Sequence, residues 1–100
     1  MKEITVTELS ELAEPIVIDV RESAEYEAAH VPGVSHIPMG EVVERIGEIP
    51  ADVPVHVICA VGGRSAQVTE YLAAKGYDVT NIAGGTKAWL HADLPVGHGA

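Results

Sequence analysis

Short apolar runs rich in β-branched residues alternate with helix-like segments along the chain, and this alternation is the strongest constraint on its fold. The predicted strands are ITV (4–6), IVIDV (16–20), VHVIC (55–59) and VTNIA (79–83), with a brief extended piece after the Pro-Gly turn in VPGVSHIP (31–38). The predicted helices are 7–13, with Thr7 as N-cap, then 22–30, 40–49, 65–75 and 86–92. Strands that alternate with helices form mainly parallel sheets with helices on both faces. The pattern therefore predicts a three-layer α/β/α fold with a mainly parallel central sheet.

The composition limits the classes of partner and compartment. We expect residues 1–100 to form a single domain with an aliphatic core, because the chain has no Phe and one Trp. The formal charge of −9 disfavours nucleic acid and anionic membrane surfaces as partners. One cysteine cannot form an intramolecular disulfide, and no apolar run resembles a signal peptide or spans a bilayer. We therefore expect a cytoplasmic protein.

The only cysteine, Cys59, ends a predicted strand and precedes two glycines, an arginine and a helix start in CAVGGRS, the Cys59 loop (residues 59–65). Ligands of parallel sheets bind where strands end at their carboxyl edge. Gly62 and Gly63 permit backbone angles that turn successive N–H groups towards one point, and the helix adds its positive end. Both effects lower the pKa of a thiol, and Arg64 adds a cation beside or behind it. The loop predicts a reactive thiolate, the alternative being a small buried cysteine that ends a strand.

The chain resembles the rhodanese-like domains at several places in the family's order. CAVGGRS resembles their active-site loop, Cys-x-x-Gly-x-Arg-Ser. IDVRE (18–22), HVPGVSHIP (30–38), IAGGTKAW (82–89) and LPV (94–96) match further motifs, with His36 where the family usually has Asn. The matches extend over residues 16–96, so we identify the chain as a member of this family.

The resemblance implies a sulfurtransferase, and we expect it to use no metal ion and no cofactor. Cys59 would take the outer sulfur of a donor such as thiosulfate and become a persulfide. An acceptor, which is a thiol, cyanide or a protein, would then remove that sulfur in a second half-reaction. Because the chain has no second cysteine, the acceptor must be external. The loop residues implied to hold the persulfide are Ala60, Val61, Gly62, Gly63, Arg64 and Ser65.

The loop departs from the family pattern in its charge. Many members carry Arg or Lys directly after the cysteine, whereas this chain has Ala60 and then Val61, which leaves Arg64 as the only cation within the loop. We therefore expect a high Michaelis constant for thiosulfate, and a preference for a less charged donor or a protein-bound persulfide. The alternative is a non-catalytic regulatory or sulfur-delivery docking module. A phosphatase or arsenate reductase ranks third, because those relatives use Cys-x5-Arg and this loop is Cys-x4-Arg.

Other polar residues near the motifs carry weaker expectations. By resemblance, Asp19 and Arg21 hold neighbouring loops, and a structural role is favoured over a catalytic one. His30 and His36 lack a nearby acidic or cysteine ligand and are expected to bond the backbone rather than a metal. The turn at 84–85 is expected to pack beneath the Cys59 loop.

The acidic run at Glu22, Glu25 and Glu27 is interpreted as a solvated helix face. Docking of a basic partner on these carboxylates is the alternative interpretation.

Overall fold

The protein contains one parallel five-stranded sheet in a computed structural model that describes residues 1–99. The strands are β1 (Lys2–Ile4), β2 (Ile16–Asp19), β3 (Ser35–His36), β4 (Val55–Ile58) and β5 (Val79–Ile82). The helices are α1 (Val6–Ser10), α2 (Ser23–Ala28), α3 (Gly63–Ala74) and α4 (Gly85–His91). The strand order is β1-β5-β4-β2-β3, and all paired strands run parallel. The predicted α/β fold with a parallel sheet is confirmed.

The core lies on both faces of the sheet because alternate strand residues point to opposite sides. Ile18 and Val57 pack towards α3, in a cluster that includes Cys59. Val17 and Ile58 pack on the other side with side chains of α1 and α4. The central strand β4 contributes to the core on both faces, with Val57 on one side and Ile58 on the other.

The first strand and helix begin earlier than the sequence predicted. Strand β1 lies two residues before the predicted ITV segment, and Thr5 rather than Thr7 is the N-cap of α1. The hydroxyl of Thr5 accepts a hydrogen bond from the backbone N–H of Glu8 at 3.1 Å, and the Glu8 carboxylate accepts one from the Thr5 N–H at 2.9 Å. This capping box satisfies two free N–H groups, which explains why the helix begins here.

The predicted helix over 40–49 is wrong. This segment forms two 3-10 turns, Met39–Glu41 and Ile46–Glu48. Val42 is buried, whereas its neighbour Val43 is 65% exposed. Glycines at 40 and 47 weaken a continuous helix, since glycine costs about 1 kcal/mol relative to alanine in a helix interior.

Within residues 1–99, each helix is too short or too polar to cross a bilayer.

Candidate active site

Cys59 directly follows the central strand β4 and is only 1% exposed to solvent. The chain then turns at Gly62, which has a left-handed φ of +114°, and α3 begins at Gly63. This start lies two residues before the predicted one at Ser65. Because glycine adopts the left-handed conformation without a steric penalty, the helix can begin this close to the thiol.

The thiol of Cys59 lies among hydrogen-bond donors of its own loop. The backbone N–H of Gly62 donates to Sγ at 3.1 Å, and the hydroxyl of Ser65 lies 3.2 Å from the same atom. Burial raises the pKa of the Cys59 thiol. The Ser65 hydroxyl and the N–H groups of Ser65, Gly62 and Val61 lower this pKa, and together they outweigh the effect of burial. The net pKa is below the ordinary value for cysteine, so the loop favours the thiolate.

Removing the Ser65 hydroxyl should raise the pKa of Cys59. Only the thiolate is alkylated, so the rate with iodoacetamide rises with pH through this pKa, and the lowered pKa places that rise at lower pH than for an ordinary cysteine. In Ser65→Ala the rise should move to higher pH, and the rate at a pH below the rise in both proteins should fall about tenfold, as for the loss of one hydrogen bond to a charged group. Ser10→Ala removes an exposed hydroxyl in α1 and is the matched control. An unchanged pH profile in Ser65→Ala would show that this hydroxyl does not stabilise the thiolate.

The first turn of α4 packs beneath the Cys59 loop. The N–H of Thr86 donates to the carbonyl of Cys59 at 2.8 Å, and the N–H of Lys87 donates to that of Ala60 at 3.0 Å. The Thr86 hydroxyl also donates to the Cys59 carbonyl, at 3.1 Å. A Cβ atom on Gly85 would overlap the Cys59 carbonyl oxygen and would lie 2.6 Å from that of Ala60. The predicted packing of the glycine turn beneath the loop is confirmed, whereas the sequence analysis did not predict the role of Thr86.

Arg64 forms an ion pair with Glu25 of α2. Its Nη1 and Nη2 donate to the two carboxylate oxygens at 2.8 Å and 2.9 Å. The hydrogen bonds from Arg64 lower the pKa of Glu25 to about 2, which burial opposes and the N–H of Glu22 assists. Glu22 and Glu27 are exposed as expected for a solvated helix face, whereas Glu25 is only partly exposed and its carboxylate is paired with Arg64.

Asp19 and Arg21 form a buried ion pair at the end of β2. Arg21 Nη2 lies 2.9 Å from the Asp19 carboxylate. Arg21 is 5% exposed and Asp19 is 0% exposed. The guanidinium also donates to the carbonyls of Glu25 at 3.2 Å and Ala29 at 2.8 Å. These contacts hold α2 against the sheet, and within residues 1–99 none of the side-chain hydrogen bonds of this pair reaches Cys59.

The two histidines of the HVPGVSHIP segment bond the backbone, as predicted. His30 Nδ1 lies 2.7 Å from the carbonyl of Tyr26, and His36 Nε2 lies 2.7 Å from that of Arg21. The ring of Tyr26 stacks between the two imidazoles, with centroid distances of 3.9 Å and 4.3 Å. The sequence analysis did not predict this stack. Residues 1–99 hold no group of three His, Cys, Asp or Glu side chains arranged for a metal ion.

Comparison with known proteins shows the family to which the chain belongs. The sequence model of the family described as "Rhodanese-like domain" matches residues 5–92 of this chain. "Putative sulfur carrier protein YrkF" of Bacillus subtilis is 40% identical over 74 residues, which are 73% of this chain and 40% of that protein. A protein named "Sulfurtransferase" from Allochromatium vinosum is 35% identical over 89 residues, covering 88% of this chain and 83% of the relative.

A solved structure shows the same fold. The crystal structure of a rhodanese-related protein from Thermoplasma volcanium superposes with a TM-score of 0.92 at 31% identity. The match covers 97% of this chain and 98% of that one. The chain therefore belongs to the rhodanese-like domain family.

Proposed function

We propose that this protein is a sulfurtransferase that carries a sulfane sulfur as a persulfide on Cys59. The observation that supports it most is the buried thiol, which accepts a hydrogen bond from the Gly62 N–H and lies within reach of the Ser65 hydroxyl. Donors that face one sulfur atom stabilise a thiolate before the transfer and an anionic persulfide after it. Relatives named as a sulfurtransferase and a sulfur carrier support the same class of reaction.

In the first half-reaction, the Cys59 thiolate attacks the outer sulfur of a donor such as thiosulfate. A new S–S bond forms to Sγ, and the S–S bond of the donor breaks. The electron pair of that bond leaves with sulfite, so the two negative charges of thiosulfate leave with the product. The persulfide then carries the negative charge that the thiolate had, and the loop donors can stabilise it.

In the second half-reaction, an external thiol or cyanide attacks the outer sulfur of the persulfide. The electron pair of the S–S bond returns to Sγ and restores the thiolate. The chain has one cysteine, so an internal thiol cannot accept the sulfur. Neither step requires a metal ion or a cofactor, and a reducing compartment such as the cytoplasm would keep the Cys59 thiol free between turnovers.

Two features of the loop argue against the other candidate functions. A phosphatase needs a free arginine to bind the phosphate dianion, whereas Arg64 is held by both carboxylate oxygens of Glu25. A docking module without chemistry does not need a buried thiol that faces the Gly62 N–H and the Ser65 hydroxyl.

Steady-state kinetics with thiosulfate and cyanide test the proposal. Because sulfite leaves before cyanide reacts, the double-reciprocal plots should be parallel, and sulfite and thiocyanate should form in equal amounts. Cys59→Ser should form no thiocyanate above the uncatalysed rate. Intersecting plots, or full activity in Cys59→Ser, would contradict the proposal.

A further inference from the structure

The ion pair between Glu25 and Arg64 decides how much positive charge the Cys59 loop offers to a donor. Both oxygens of Glu25 are bound by the guanidinium, and one of them also accepts the N–H of Glu22 at 3.1 Å. The two side chains are 37% and 35% exposed, so the pair lies at the surface edge of the site. The only cation within the loop is therefore neutralised.

Arg64 directly precedes Ser65, whose hydroxyl lies 3.2 Å from Sγ of Cys59, so the arginine belongs to the loop that surrounds the thiol. The hydrogen bonds that Arg64 donates to Glu25 raise the pKa of Arg64 most, burial opposes them, and the charges of Glu25, Cys59 and Glu22 raise it further. Because both residues lie in the same short loop, a thiolate on Cys59 favours the charged form of the Arg64 guanidinium. The contribution of Glu22 adds a second carboxylate to the surroundings of the same arginine.

We propose that Glu25 is a specificity-determining residue, which disfavours donors with two negative charges by neutralising Arg64 and leaves monoanionic or neutral sulfane-sulfur donors, such as thiol-borne persulfides, as the substrates. This inference rests on the proposed persulfide chemistry of Cys59. The ion pair and the loss of a basic residue at position 60 act in the same direction, because each removes positive charge that a dianion needs.

The persulfide donor reacts with the same balance of atoms and electrons. The Cys59 thiolate attacks the outer sulfur of R–S–SH, the S–S bond of the donor breaks, and its electron pair leaves with R–S⁻. The product is the Cys59 persulfide, and one sulfur atom has moved without any net oxidation or reduction. A thiol-borne donor can thus load Cys59 without bringing a dianion such as thiosulfate near the carboxylates of Glu22 and Glu25.

A pair of small donors isolates the effect of charge. Thiosulfate is a dianion, whereas methanethiosulfonate has a methyl group in place of one oxygen and is a monoanion of similar size. Both transfer the outer sulfur, and they release sulfite and methanesulfinate respectively. Since both react with the same thiolate, the ratio of their kcat/KM values is independent of any change in the pKa of Cys59.

The experiment compares this monoanion-to-dianion ratio in the wild type and in Glu25→Gln. Glutamine keeps the side-chain length, and its amide oxygen can still accept the Glu22 N–H in the capping box. The variant frees the charge of Arg64, so kcat/KM for thiosulfate should increase and the ratio should fall about tenfold. Glu27→Gln removes an exposed charge from the same helix and should leave the ratio near that of the wild type.

Arg64→Gln tests the same inference in the opposite direction. It leaves the charge of Glu25 uncompensated, so the ratio should rise above that of the wild type. This variant also decides the matter if Glu25→Gln folds poorly.

The outcomes separate the inference from the proposed function. An unchanged ratio in Glu25→Gln, or equal changes in Glu25→Gln and Glu27→Gln, would overturn the inference while sulfur loading of Cys59 still supported the persulfide chemistry. Failure of both donors to load Cys59 in folded wild-type protein would overturn both.

Discussion

Arg21→Ala is expected to lower the free energy of unfolding by about 3–5 kcal/mol, because it leaves the fully buried carboxylate of Asp19 without its cation. The guanidinium also satisfies the carbonyls of Glu25 and Ala29. In a domain of this size, the loss corresponds to a fall in melting temperature of about 15 °C or more. Thermal or urea unfolding followed by circular dichroism measures the change.

The matched control for this prediction is Arg45→Ala. Arg45 also forms ion pairs, with Glu41 and Glu48, but these carboxylates are half exposed to solvent. Exposed ion pairs contribute little, so the melting temperature should be nearly unchanged. Cys59 should still accept sulfur in the folded fraction of Arg21→Ala. A stable Arg21→Ala variant that had lost sulfur transfer would assign Arg21 a role in the reaction instead.

Gly85→Ala should damage both the fold and the thiol site. The added Cβ would overlap the carbonyl of Cys59, and residue 85 has a left-handed φ of +58°. Backbone strain and overpacking together should lower the free energy of unfolding by about 2–4 kcal/mol. Either α4 or the Cys59 loop must shift, so the hydrogen bonds from Thr86 and Lys87 to the loop carbonyls should weaken.

The second effect of Gly85→Ala is chemical. If the loop shifts, its N–H groups no longer face Sγ, and sulfur loading of Cys59 should fall about tenfold or more, as when one donor to a reacting anion is lost. Gly47→Ala is the control, because a Cβ at residue 47 meets no atom within 4 Å and its φ is not left-handed. A Gly85→Ala variant with normal stability and normal loading would show that the close packing of α4 is dispensable.

The sheet and the position of Cys59 could be predicted because they depend on local patterns. A nearly continuous β-branched run such as IVIDV (16–20) is typical of a strand covered on both faces of a parallel sheet, and the glycines after Cys59 indicate a turn at a strand end. The prediction of a helix over residues 40–49 failed for a physical reason. Val42 and Ile49 are buried at a spacing that a helix and two 3-10 turns both satisfy.

The charge of the site could not be predicted from the sequence. Glu25 and Arg64 are 39 residues apart in the sequence, and each is a residue type that is common on the solvated face of a helix. Their pairing depends on how α2 and α3 are placed around the end of β4. The support from Thr86 depends in the same way on the packing of α4 against the loop.

Intact-protein mass spectrometry after incubation with thiosulfate or methanethiosulfonate tests most directly whether Cys59 carries sulfur. The wild type should gain the mass of one sulfur atom, and cyanide or a small thiol should remove it. Cys59→Ser should gain nothing under the same conditions. A folded wild-type protein with a free thiol that gained no sulfur from either donor, or a Cys59→Ser variant that gained it equally, would contradict the persulfide function.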